Sequence, residues 1–181
     1  MGDGLLDLAI AEAGGHRLWN SLRGLKVDLS IGGPIWALKG WPPERTFDQP
    51  LSLDTAREHI AFSPFTRTDR RMVFDAATDS VTMEPLDGEP VETLAPARAG
   101  FPLGRQRWMD YVAEVNGSTL VGHYTSRHRR FGGLLVATRR CVFRRNPDDT
   151  VNLNLPSITL DIHDVALIHA DGDPTPARDQ A

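Results

Sequence analysis

From Leu25 onward the chain keeps a period of two. Leu25, Val27, Leu29 and Ile31 alternate with Lys26, Asp28 and Ser30, the pattern of a strand with one face on a core and the other in water. Gly32-Gly33-Pro34 interrupts this strand and residues 35–39 are expected to resume it. Further strands are expected at about residues 46–55, 57–62, 71–75, 79–84, 105–115, 119–127, 134–145 and 151–155, with Pro156 breaking the last before it continues over 157–165. Asn116-Gly117 is the strongest hairpin signal in the chain. Gly40-Trp-Pro-Pro43 reads as a loop, and residues 85–104, with four prolines and three glycines, as the least structured internal segment.

Two helices precede the strands. Leu5, Leu8, Ala9 and Glu12 fall at helical spacing over residues 4–13, and Gly14-Gly15 stops that helix. A second short helix, about residues 16–22, carries Leu18, Trp19 and Leu22. An antiparallel sheet of roughly nine or ten strands curls on itself, and its inner face needs a cover. The sequence therefore predicts a mainly β (α+β) fold. It is a curved antiparallel sheet or half-open β-barrel, with the two N-terminal helices against the concave face.

A chain of 181 residues fits one domain, here residues 1–170. Residues 171–181 lack apolar content and read as a disordered tail. The opening residues carry Asp3, Asp7 and Glu12 and have neither a basic start nor a continuous apolar core. They do not read as an export signal, and no apolar run is long enough to span a bilayer. A cytoplasmic protein is the expectation. Cys141 has no cysteine partner and reads as a small buried side chain.

Charge is unevenly spread. Residues 105–145 hold nine arginines against Asp110 and Glu114, a net +7 within a chain of net −4. Arg127, Arg129, Arg130, Arg139 and Arg140 cluster around one hairpin. Cross-strand pairing with the acidic N-terminal half accounts for them; the alternative is an anionic partner. Nucleic acid is not expected, because the chain is acidic overall and has no recognition helix or RNA-binding aromatic motif.

No catalytic signature is present. Neither Gly-x-Ser-x-Gly nor Ser-x-x-Lys occurs, and Gly32-Gly33 lacks the spacing of a phosphate loop. On a regular strand Asp161 and Asp164 face opposite ways, as do His123 and His128. Asp161 and His163 share a face, but two ligands do not make a metal site. No catalytic residue, metal site or cofactor is assigned.

The segments Gly14-Gly15-His16-Arg17-Leu18-Trp19-Asn20, Gly24-Leu25 and Ile31-Gly32-Gly33-Pro34-Ile35-Trp36-Ala37-Leu38-Lys39-Gly40 resemble a group of uncharacterised bacterial proteins. Phe62-Ser63-Pro64-Phe65, Asp69-Arg70-Arg71, Asp110-Tyr111-Val112, Gly122-His123-Tyr124-Thr125-Ser126 and Thr138-Arg139-Arg140 fit the same group. That group is distantly similar to the lipoprotein-carrier (LolA-like) superfamily. The resemblance implies a half-open barrel packed on helices, with an apolar cavity for acyl chains. It also implies that a central aromatic-rich segment is missing here, between Ala99-Gly100-Phe101 and Gly104-Arg105.

The expected function is non-enzymatic binding of an apolar or amphipathic, lipid-like small molecule between the sheet and the helices. Trp36, Tyr111 and Tyr124 are the candidate lining residues, and Arg127 or Arg139 the candidate partner of an acidic head group. Two alternatives stand beside it. One is an enzyme with a dispersed site built from His123, Asp110 and Asp161. The other is a ligand-free interaction module using a sheet edge. The oligomeric state is open.

Overall fold

A computed structural model describes residues 3–38, 46–65, 67–87, 92–95, 111–113, 119–148, 150–170 and 174–175. Three helices and twelve strands are found among them: α1 (Asp3–Glu12), α2 (Gly15–Ser21), β1 (Leu22–Gly32), α3 (Ile35–Leu38), β2 (Thr46–Asp48), β3 (Leu51–Asp54), β4 (His59–Phe62), β5 (Arg70–Asp75), β6 (Ser80–Pro85), β7 (Glu92–Leu94), β8 (Tyr111–Ala113), β9 (Thr119–Phe131), β10 (Leu134–Arg145), β11 (Val151–His169) and β12 (Pro174–Thr175). The strands form one antiparallel sheet in the order β7-β6-β5-β4-β3-β1-β11-β10-β9-β8, with β2 beside β1 and β12 beside β11. Among the described residues the order ends at β7 and β8 and the sheet does not close. The mainly β, antiparallel expectation holds.

Several local expectations are corrected. Residues 35–38 do not resume the strand, and Lys39 lies outside the described residues. Ile35–Leu38 form a helical turn, because Pro34 presets a helical φ just before them. Pro156 does not end its strand either, since β11 runs through it. The register with β10 slips there, from Val142 opposite Ile158 to Phe143 opposite Pro156. Pro156 thus sits at a bulge, where a missing N–H is tolerated. β1 pairs β11 only from Thr159 onward, so no ladder bond on that side is lost. Among the described residues of the segment 85–104, Pro85 ends β6 and Glu92–Leu94 form β7, and the expected loose tail contributes Pro174–Thr175 to the sheet. The loop at residues 40–43 and the turn at Asn116-Gly117 lie outside the described residues.

The largest correction concerns what covers the sheet. Leu5, Leu6 and Leu8 of α1 are 78%, 62% and 65% exposed, so α1 does not cover an apolar face. Among the described residues its hydrogen bonds to the sheet lie at its C-terminal end. Leu135 N–H donates to Ala13 O at 3.1 Å, and Arg130 Nη2 donates to Glu12 Oε2 at 2.7 Å.

The cover is the tip of the β9–β10 hairpin. β10 pairs β11 only from Arg139 onward, so the tip leaves the sheet plane. Gly132 and Gly133 turn the hairpin at φ 56° and 94°, with Phe131 opposite Leu134; two positive φ values in a two-residue loop suit the strand twist. The tip then closes on β11. A Cβ at Gly132 would lie 2.6 Å from Leu167 Cδ1. β9 and β11 are two strand spacings apart, roughly 10 Å in a flat sheet, so this approach requires the sheet to bend. Phe131 joins Leu22, Leu25, Val27, Leu29, Val165 and Leu167 in the buried core, with Leu134, Val136 and Leu18 packed against it.

Candidate functional site

The register divides the sheet into two chemically distinct faces. On one, Leu25 stands opposite Leu53, Leu53 opposite Ile60, Ile60 opposite Phe74, and Phe74 opposite Val81. A parallel row runs Val27, Leu51, Phe62, Met72, Met83. Alternation puts the residues between them on the reverse, where one row runs Lys26, Ser52, Ala61, Val73, Thr82 and Thr93. Arg71 pairs Glu84 there at 2.7 Å.

The hairpin tip covers the apolar face over β1 and β11. Over β3–β6 the same face is only half-buried: Leu51, Leu53, Ile60, Phe62, Met72, Phe74, Val81 and Met83 are all of intermediate exposure. Phe62 also meets Phe65, with ring centroids 6.2 Å apart. Eight large apolar side chains on one flank, none sealed, form the candidate binding surface. Among the described residues, open pockets of about 220 and 190 Å³ lie on the polar face, around Lys26, Asp28 and Ser52 and around Arg23, Asp54 and His59. Both fall below the roughly 300 Å³ at which ligand cavities begin.

The named candidates are dispersed. Trp36 is half-buried in α3 and its Nε1 donates to Gly32 O at 3.0 Å. α3 lies at the β11 bulge; a Cβ on Gly33 would strike Ser157 O at 2.4 Å. Tyr111 opens β8 opposite Val121, and its side chain lies outside the described residues. Tyr124 stands opposite Cys141, on the polar face. Its ring meets Phe143 edge-on at 5.4 Å and it is 47% exposed. It does not line the apolar surface. Cys141 is half-buried rather than buried.

The arginines also separate. Arg139 stands opposite Asp161 and pairs with it on the polar face, so it is not a partner for a head group beside the apolar rows. Arg127 is exposed, with φ 54°, and Thr138 Oγ1 donates to its carbonyl. Arg129 lies over the Phe131 ring at 5.1 Å. Arg130 takes Glu12, the one described pair from this cluster that reaches the acidic N-terminal segment. Arg140 differs from all of these. It stands opposite Thr125 and Leu160, on the apolar side, and its Nε is buried with no hydrogen-bond partner.

His123, opposite Val142, occupies the neighbouring position on that same side. Burial, and then the Arg140 charge, hold its pKa below the usual histidine value of 6.5. Its imidazole is therefore neutral at pH 7. His123 and Asp161 stand on opposite faces, so the structure does not bring them together; Asp110 lies outside the described residues.

A second polar cluster was not legible in the chain. The pairing of β1 with β11 slips by one residue, from Asp28 opposite Asp164 to Leu29 opposite Ile162. His163 is the extra residue of this bulge. Asp161 and Asp164 thereby stand opposite Ser30 and Asp28, two alternate residues on one face, contrary to the regular-strand expectation. His163 Nε2 lies 2.6 Å from Ser30 Oγ, which donates to Asp48 Oδ1 at 2.9 Å. Ser30 has one proton and gives it to Asp48, so Nε2 is the donor to Ser30. A nucleophilic serine needs the reverse, a ring nitrogen that accepts its proton. Among the described residues no group of three or more His, Cys, Asp or Glu is placed to hold a metal ion, and no helix is long and apolar enough to cross a membrane.

Set against known proteins, the chain matches no family model and no curated protein.

Proposed function

We propose that the apolar face of β3–β6 holds an apolar or amphipathic, lipid-like small molecule, and that the protein binds it without transforming it. The observation that carries this reading is the pair of rows, Leu53-Ile60-Phe74-Val81 and Leu51-Phe62-Met72-Met83, continuous with the core yet only half-buried. Exposed apolar surface of this extent on one flank marks a binding site more often than an idle surface. A chain of about twelve carbons gains roughly 0.8 kcal/mol for each methylene it buries. Full burial, about 9–10 kcal/mol, exceeds the low end of an association cost of about 4–15 kcal/mol and permits binding on the order of 0.1 mM. The expected resemblance to a bacterial group distantly similar to lipoprotein carriers implies the same ligand class. The site moves, however, from between sheet and helices to the sheet flank beside the hairpin tip.

Native mass spectrometry of protein purified without detergent tests the proposal. The expected spectrum shows an added mass that organic extraction removes, and the stripped protein takes up one 1-dodecanol per chain. A bare chain that takes up no dodecanol overturns it.

A further inference from the structure

The ligand's polar end needs a partner on the apolar side of the sheet. Arg139 is spent on Asp161, on the other face. Arg140 is on the right face and is unspent: among the described residues no hydrogen bond or ion pair to its guanidinium is found, and its Nε is shut off from solvent. A buried cationic N–H without an acceptor is costly. Such a group calls for an acceptor from outside the chain, such as a water, an ion or a ligand. Around it stand Thr125, a hydroxyl donor directly opposite on β9, and His123, one alternate position along the same strand. Leu160, opposite Arg140 on β11, stands in turn opposite Ile31 on β1. Both belong to the apolar layer packed on the core. The cationic group therefore lies on the same face that carries the apolar rows, three strand spacings across from β3 and four residues further along β1, roughly 19 Å in a flat sheet.

We infer that Arg140, with Thr125 and His123 beside it, is an oxyanion site that takes the carboxylate or phosphate end of the amphipathic ligand. This rests on the proposed apolar site for the rest of the molecule. A guanidinium suits the task because its fork of N–H donors matches the two oxygens of such a group.

Binding of three probes to stripped wild-type protein and to Arg140→Met and Arg140→Lys tests it: dodecanoate, 1-dodecanol and inorganic phosphate. Circular dichroism checks that each variant is folded. Wild type is expected to prefer dodecanoate over dodecanol about tenfold, or about 1.4 kcal/mol. Arg140→Met should abolish that preference and leave dodecanol affinity unchanged, while Arg140→Lys retains part of it. Equal binding of the two chains by wild type, or a preference that survives Arg140→Met, overturns the oxyanion site and leaves the apolar site standing. Phosphate binding that Arg140→Met abolishes, with neither chain bound, supports the oxyanion site for a free anion and overturns the apolar one. If no probe binds, both fail.

Discussion

Arg139 and Asp161 face each other across β10 and β11 and pair on the polar side of the sheet. Because successive strand residues alternate, that pairing turns Arg140 toward the apolar side, opposite Leu160. One arginine is neutralised and its neighbour is left with a buried, unpartnered Nε. The contrast between the two carries the functional account.

Arg140→Met keeps most of the side-chain volume and removes the uncompensated donor. In ligand-free protein it should raise stability by about 1 kcal/mol, read as a higher urea midpoint with unchanged slope. Arg139→Met breaks an ion pair instead and leaves Asp161 without its partner, so it should lower the midpoint.

His123 gives stability a pH signature. Its native pKa lies below that of the unfolded chain, so below about pH 6.5 the unfolded state binds more protons. The His123 contribution is complete above that pH and is lost as pH falls toward the native pKa. Urea midpoints from pH 7.5 to 5 should decline over this interval. His123→Asn should flatten the decline.

Changing Leu5, Leu6 and Leu8 of α1 together to Gln should alter stability by no more than about 0.5 kcal/mol per site, because all three are largely exposed. A loss of several kcal/mol in chemical denaturation would mean that α1 lies on the sheet.

Phe131→Ala removes the hairpin tip's main anchor, which is 2% exposed. The cost should be about 3–5 kcal/mol. Gly132→Ala should also destabilise the fold, because it adds a Cβ at positive φ and 2.6 Å from Leu167 Cδ1. Thermal melts of the two variants check both.

Ser30 is 7% exposed and joins β2 to the β11 bulge through Asp48 and His163. Ser30→Ala should cost about 1–2 kcal/mol for two hydrogen bonds in a urea titration, and should leave ligand binding on the other face unchanged.

The strand pattern was legible wherever one face is buried and the other wet. Leu25, Val27 and Leu29 are buried and Lys26 and Asp28 are exposed, as their alternation requires. Ile35-Trp36-Ala37-Leu38 has no such alternation, and a four-residue apolar run fits a helical turn as well as a strand. The bulges at Pro156 and His163 depend on how far β1 and β10 extend along β11, which no local pattern records. That slip is why Asp161 and Asp164 share a face. The cover over the core is not legible in the sequence for a related reason. An N-terminal amphipathic helix announces itself by its spacing, whereas the departure of residues 134–138 from β11 is set by contacts far apart in sequence. The sequence pattern points to Arg127 or Arg139 as the rim arginine, and only the register distinguishes Arg139 from Arg140.

Methyl-resolved NMR of the stripped protein titrated with dodecanoate tests the central claim most directly. The account predicts that Leu51, Ile60, Met72, Val81 and Met83 shift together in a saturable way. Shifts confined to exposed residues elsewhere, such as Leu153 and Leu155 at 58% and 69% exposure, or no shifts at all, would contradict it.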